Sequence, residues 1–113
     1  MMFLKDDNND GGVAGMKQYL ALYAVNPNFG IGARPRIGTL PQTHKLVMTV
    51  VANAPEEVFY AMQGEVWSPH GEARELIRSL GLKHTSMSVG DVIYDVSARK
   101  YYLVDFIGFS ELK

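Results

Sequence analysis

One hundred and thirteen residues without a cysteine make one domain, rule out disulfides and thiolate metal sites, and still suffice for a single buried core. A hydrophobic share of 47%, a charged share of 20% and a formal charge of −1 are ordinary globular values, and they exclude a chain that lives by non-specific contact with phosphate backbones. No apolar run approaches the ~20 residues of a bilayer-spanning helix, so the expectation is a soluble cytoplasmic protein with no membrane partner.

Residues 1–15, MMFLKDDNNDGGVAG, show no apolar periodicity and read as a disordered N-terminal extension, with Met16 as a potential second start. The single domain is therefore expected over 16–113. Residues 18–25, QYLALYAV, are apolar on both faces and read as a central strand. From Asn26 to Thr43 three prolines and three glycines exclude a regular helix, and a connection this long is often functional. Residues 45–52, KLVMTVVA, read as a second strand.

A first helix is expected over about 55–63. Asn53 would cap it, Pro55 would lie in its first turn, Glu56 would complete a capping box, and Gly64 would stop it. A second is expected from Ser68, its cap, and Pro69 to Gly81, with Ala73, Leu76, Ile77 and Leu80 as its apolar stripe. Residues 86–95 and 101–109 read as a hairpin around a turn at 96–99. The expected fold is α+β: a small, mostly antiparallel sheet of about four strands with two short helices on one face, in the order β-β-α-α-β-β.

The run Ser86-Met87-Ser88-Val89-Gly90-Asp91-Val92-Ile93, followed by Tyr101-Tyr102-Leu103-Val104-Asp105-Phe106-Ile107-Gly108-Phe109, resembles the end of YodL-like domains. Those finish with a Ser-x-Ser-Val-x-Asp-Val-Ile strand and a Tyr-Tyr-x-Asp-x-x-Gly-Phe strand; here Val104 is inserted before the second aspartate. Members of that family are mostly uncharacterised and occur in bacteria and on phage and plasmid-borne proteins. The resemblance implies a fold and supplies no catalytic residue.

Three groups of residues are candidate sites. Asp91, Asp95 and Asp105 suggest an oxygen-rich cation site or an acid/base pair. With the turn at 96–99, opposed positions sum to 195, so Asp91 faces Val104, Asp105 faces Gly90, and the two carboxylates lie on opposite sides. A β-bulge at Gly90 would bring them together, whereas Asp91 could instead simply bind Ser86, Ser88 or nearby backbone N–H groups. Trp67 and His70 stand at a helix start and could line a ligand site, or could be a hydrophobic staple and a solvated residue. Arg34 and Arg36, in a glycine- and proline-rich segment with His44 and Lys45 nearby, could meet phosphates or acidic groups, or could be solvated. His84 and His44 have no partner at metal-ligand spacing, and neither a metal nor a cofactor is expected. The tyrosines, including Tyr23, Tyr60, Tyr94 and Tyr101, are expected mainly in the core or in cross-strand pairs.

No complete catalytic set can be assembled, which favours a small binding or regulatory module acting through protein–protein contact, and the YodL-like resemblance implies a phage or other mobile-element setting for it. Two alternatives stand beside it: a metal-assisted enzyme on nucleotides or nucleic acid using Asp91 and Asp105, and nucleic-acid binding through the Arg34 and Arg36 loop. Two open sheet edges also invite a homodimer.

Overall fold

The computed structural model describes residues 15–28 and 34–113. The expected extension, Gly15 apart, and the glycines at 30 and 32 lie outside the described residues. The elements are β1 (Lys17–Ala24), a 3-10 turn (Ile37–Thr39) running into α1 (Leu40–Thr43), β2 (His44–Ala52), α2 (Pro55–Ala61), α3 (Gly64–Trp67), α4 (Arg74–Ser79), β3 (Val92–Asp95), β4 (Lys100–Val104) and β5 (Phe109–Leu112). The strands form one antiparallel sheet of five, not four, in the order β2-β1-β3-β4-β5. Among the described residues no helix is long and apolar enough to cross a membrane.

β1 is an interior strand, as its two apolar faces require. Tyr19, Ala21 and Tyr23 point into the larger core with Val58 of α2, Met62 at its end, Ile77 of α4, and Leu82, Met87 and Ile93. The opposite face carries a smaller cluster, in which Val92, Leu103 and Leu112 are roofed by Leu40 of α1. The proline-rich connection thus does hold helix, one 3-10 turn and one α turn, with Pro41 inside the first α turn, where its missing N–H is tolerated.

α2 begins where Pro55 predicts, but Ala54 occupies the cap position and makes no side-chain cap bond. The reaching carboxylate is Glu57, not Glu56: its Oε1 accepts from the Asn53 N–H at 3.0 Å. The helix expected from Ser68 is shortened to Arg74–Ser79 because Gly71 adopts φ +85, which turns the chain out of a helical path. Ala73 takes the cap position without a side-chain cap bond, and Ser68, the expected cap, instead accepts from the Ala73 N–H at 2.8 Å, ahead of the helix. Gly64 starts α3 instead of ending α2, its N–H donating to Ser86 Oγ at 2.7 Å. In α4 Ile77 is buried, whereas Leu76 is 37% exposed and lies off the apolar stripe.

α4 ends in a Schellman motif. Gly81 has φ +74, its N–H reaches the Arg78 carbonyl at 3.0 Å, and the Leu82 N–H reaches the Ile77 carbonyl at 2.9 Å while its side chain is buried. Gly81→Ala is expected to lower stability by about 1–2 kcal/mol, because a Cβ there meets no atom but strains the left-handed backbone. Gly38→Ala, in open space without a positive φ, should leave it unchanged or raise it by up to ~1 kcal/mol. Paired urea unfolding curves check both.

The β3–β4 register is the expected one: Asp95 opposes Lys100, Tyr94 opposes Tyr101 and Val92 opposes Leu103. The Tyr94 and Tyr101 rings lie 4.4 Å apart. Tyr60, by contrast, is 69% exposed and belongs to no core. Both predicted hairpin strands are shorter than expected. Residues 88–91 form a turn closed by the Asp91 N–H on the Ser88 carbonyl at 3.0 Å, so β3 starts only at Val92. The run at 101–109 breaks at a turn closed by the Asp105 N–H on the Gly108 carbonyl at 3.0 Å, with Gly108 at φ +67, and this break creates the fifth strand.

Candidate functional site

The end of the sheet at Ala24 gathers polar side chains, and a bulge organises it. The Gly90 N–H donates to the Val104 carbonyl and the Val104 N–H donates to the Asp91 carbonyl, both at 2.9 Å, with Gly90 at φ +100. Two residues opposing one, the first a left-handed glycine, is a G1 bulge. The bulge weighed from the sequence is present, yet it does not unite the two aspartates. β4 ends at Val104, and Asp105 leaves the ladder for the next turn.

Asp91 is 1% exposed and fully engaged on the helix-bearing side of the sheet. Its Oδ1 accepts from the Ala24 N–H and its Oδ2 from the Ser88 N–H, each at 2.8 Å. His84 Nε2 lies 2.8 Å from Oδ2 and 3.1 Å from Oδ1. A carboxylate in this setting accepts, so Nε2 carries the hydrogen, and Nδ1 is buried without a hydrogen-bond partner among the described residues. The imidazole stacks on Tyr23, with centroids 4.7 Å apart and planes 11° from parallel. Tyr23 donates to the Thr85 carbonyl at 2.7 Å; burial, then the nearby Asp91 charge, pushes its phenol well above the ordinary tyrosine range.

His44 occupies the other side of the same bulge. It opposes Ala24 in the β1–β2 register, and its Nε2–H donates to the Gly90 carbonyl at 2.9 Å while Nδ1 meets Thr43 Oγ1 at 2.8 Å. The bulge therefore holds one histidine against each face of the sheet. Both histidines looked partnerless in the sequence. The residues they meet, 7 and 46 positions away, form no recognisable spacing motif.

Beside His44 opens a cleft of about 500 Å³ whose polar lining includes Asn26, Arg34, Arg36, Gln42, Thr43 and His44. Arg34 lies 3.5 Å from Asp105 Oδ2, so residues from two separate candidate groups come together here. Asp105 also receives the Phe106 N–H at 2.9 Å and the Ser110 hydroxyl at 2.8 Å. Those two bonds, and then Arg34, hold its carboxyl below the usual carboxylate range. Arg36 is exposed and makes no ion pair among the described residues. Lys45 is exposed on β2, opposite Tyr23 and so on the other face from His44.

The remaining expected site residues do not converge. Trp67 packs against the larger core and its indole N–H donates to the Thr85 carbonyl at 3.1 Å. His70 stands in solvent, 3.4 Å from Glu72. Asp95 belongs to the hairpin turn. Asp91 and Asp105 share no partner, so they form no dyad, and no group of three or more His, Cys, Asp or Glu that could hold a metal ion exists among the described residues. What this end of the sheet can do chemically is receive an anion: two guanidinium groups, one already matched to a carboxylate, face a polar cleft.

Comparison of this chain with protein-family models, with curated proteins and with solved structures finds no match.

Proposed function

We propose that the protein is a binding module that docks an acidic segment of a partner protein in the cleft of Arg34 and Arg36. One observation carries the reading. Arg34 already holds the chain's own carboxylate, Asp105, at 3.5 Å, while Arg36 beside it is free of any ion pair among the described residues. Guanidinium forks suit carboxylates because two parallel N–H bonds match two oxygens. A foreign Asp or Glu side chain engages Arg36 directly and competes with Asp105 for Arg34. A protein partner is favoured over nucleic acid by the balance of charge: eleven basic residues stand among twelve acidic ones, and Asp105 already pairs with one of the two arginines. The YodL-like likeness at 86–109, and the mobile-element setting it brings, form part of the same proposal: a small domain that occurs beside other small domains suits a docking role.

Fluorescence anisotropy with a labelled Glu- and Asp-rich peptide tests the proposal. Saturable binding is expected, and Arg34→Ala with Arg36→Ala should weaken it at least ~10-fold, since each lost charge-assisted bond is worth about 1.5–3 kcal/mol. Both side chains are exposed, so the urea midpoint of the double variant should match the parent. Equal affinity in the double variant refutes the assignment of the cleft. Tighter binding of single- or double-stranded nucleic acid, falling steeply with salt, replaces the protein partner with a nucleic acid.

A further inference from the structure

The sheet has two outer edges, and they are built differently. β5 is four residues long and carries Glu111, which has Lys100 at 4.0 Å and Lys113 at 3.9 Å. A short edge with charges on it discourages pairing. β2 is nine residues long and also outermost, so one side of its backbone has no strand partner among the described residues. From Leu46 to Ala52 it reads LVMTVVA, without charge, proline or glycine. Leu46 is 51% exposed and Val51 57%. Uncharged, proline-free strands of this length template open-ended aggregation when left bare, and natural sheets blunt them. Among the described residues no strand covers this edge, and a single register shift against β1, beside Val47, interrupts it.

We infer that β2 pairs antiparallel with β2 of a second copy of this chain, about a two-fold axis through the middle of the strand. Two arguments select a second copy over a foreign strand. A two-fold pairing closes, because the joined sheet ends on both sides at β5, the edge already protected by charge and shortness. The charges are also self-complementary. Lys45 opposes Tyr23 and so lies on the helix-bearing face, near one end of β2. Glu56 and Glu57, the acidic first turn of α2, stand on that face beyond the other end. There they border a groove of about 450 Å³ with Val50, Val51 and Tyr60. Antiparallel pairing runs each copy's Lys45 toward the other's Glu56 and Glu57, and the two-fold makes the contact twice.

The surface is separate from the arginine cleft, so the two readings stand or fall independently. Sedimentation velocity of the full chain over a concentration series is expected to show a reversible dimer. Val51→Lys places a charge on the edge without touching the core and should give a monomer with an unchanged low-concentration melting temperature. Lys45→Glu should weaken the dimer roughly 10-fold, from two lost exposed ion pairs, and adding Glu56→Lys, which leaves the Glu57–Asn53 bond in place, should restore it. A parent chain that sediments as a monomer throughout, or a dimer that survives Val51→Lys, overturns the inference. Failure of the charge exchange to restore affinity overturns the antiparallel two-fold on which it rests.

Discussion

Replacing Asp91 with alanine is expected to remove about 3–5 kcal/mol of folding stability, a large share of the ~5–15 kcal/mol that a domain has. The side chain is 1% exposed and terminates three donors: the Ala24 N–H at the end of β1, the Ser88 N–H in the turn before β3, and His84 Nε2. Alanine leaves all three facing a buried void. Each orphaned buried donor costs about 1–3 kcal/mol, and partial repair by water sets the net figure below their sum. The loss is topological as well as local, because Asp91 ties β1 to the bulge from which β3 departs. Asp91→Asn should cost roughly half as much, since its one remaining oxygen can serve only some of the donors and its amide opposes the others. Urea unfolding of the three proteins reads this out as a shift in midpoint at constant slope. A midpoint for Asp91→Ala within experimental error of the parent would mean that the bulge is held by the backbone alone.

Much of the ladder was legible because it depends on spacing. Once the turn is placed at 96–99, every β3–β4 pair follows by arithmetic, and the Tyr94–Tyr101 pair with it. Pro55 marks the start of α2 for a similar reason: a residue with no N–H and a fixed φ belongs at that position. Three of the misses share another cause. Gly71, Gly90 and Gly108 each take a positive φ, and the sequence shows that a glycine is present without showing which sign its φ will have. Gly71 cut the second helix short, and Gly108 with Asp105 divided one expected strand into two. The site was legible only in pieces. Arg34 and Arg36 stand together in the sequence, but the Asp105 that meets Arg34 is 71 positions away. His84 and His44 found their partners through the bulge, a tertiary event that no local pattern announces. Of the two readings of Asp91, local hydrogen bonding with the Ser88 backbone is the one the geometry displays.

Asp95 is the second position where one substitution should be felt strongly, and there the effect depends on pH. Its residue is 3% exposed at the entrance to the β3–β4 turn. Oδ1 accepts from the Ala98 N–H at 3.0 Å and the Ser97 hydroxyl at 3.1 Å, and Oδ2 accepts from Lys17 Nζ at 3.0 Å. Burial by itself raises the carboxyl pKa, but the Ala98 N–H, Lys17 and Ser97 together outweigh it and leave the carboxyl below its ordinary 3.8. Asp95→Ala is expected to cost about 2–4 kcal/mol near neutral pH: a charge-assisted bond to a turn N–H supplies most, and the half-exposed lysine pair adds at most ~1 kcal/mol. The sign of the pH dependence follows from linkage. A carboxyl with a lower pKa in the folded chain is protonated first in the unfolded chain as pH falls. Its stabilisation is therefore complete above the ordinary value of 3.8 and drains away as pH drops through the depressed folded value. Asp105, held low by the Phe106 N–H, Ser110 and Arg34, acts in the same direction from a more exposed position. The urea midpoint of the parent should stay flat down to about pH 5 and then fall. Asp95→Asn keeps a turn acceptor without a titrating proton, so its curve should start lower and fall less steeply below pH 4. Parallel acid limbs in the two proteins would remove Asp95 as the source of the acid sensitivity and leave Asp105 and Glu72, whose carboxyls are also held low, to account for it.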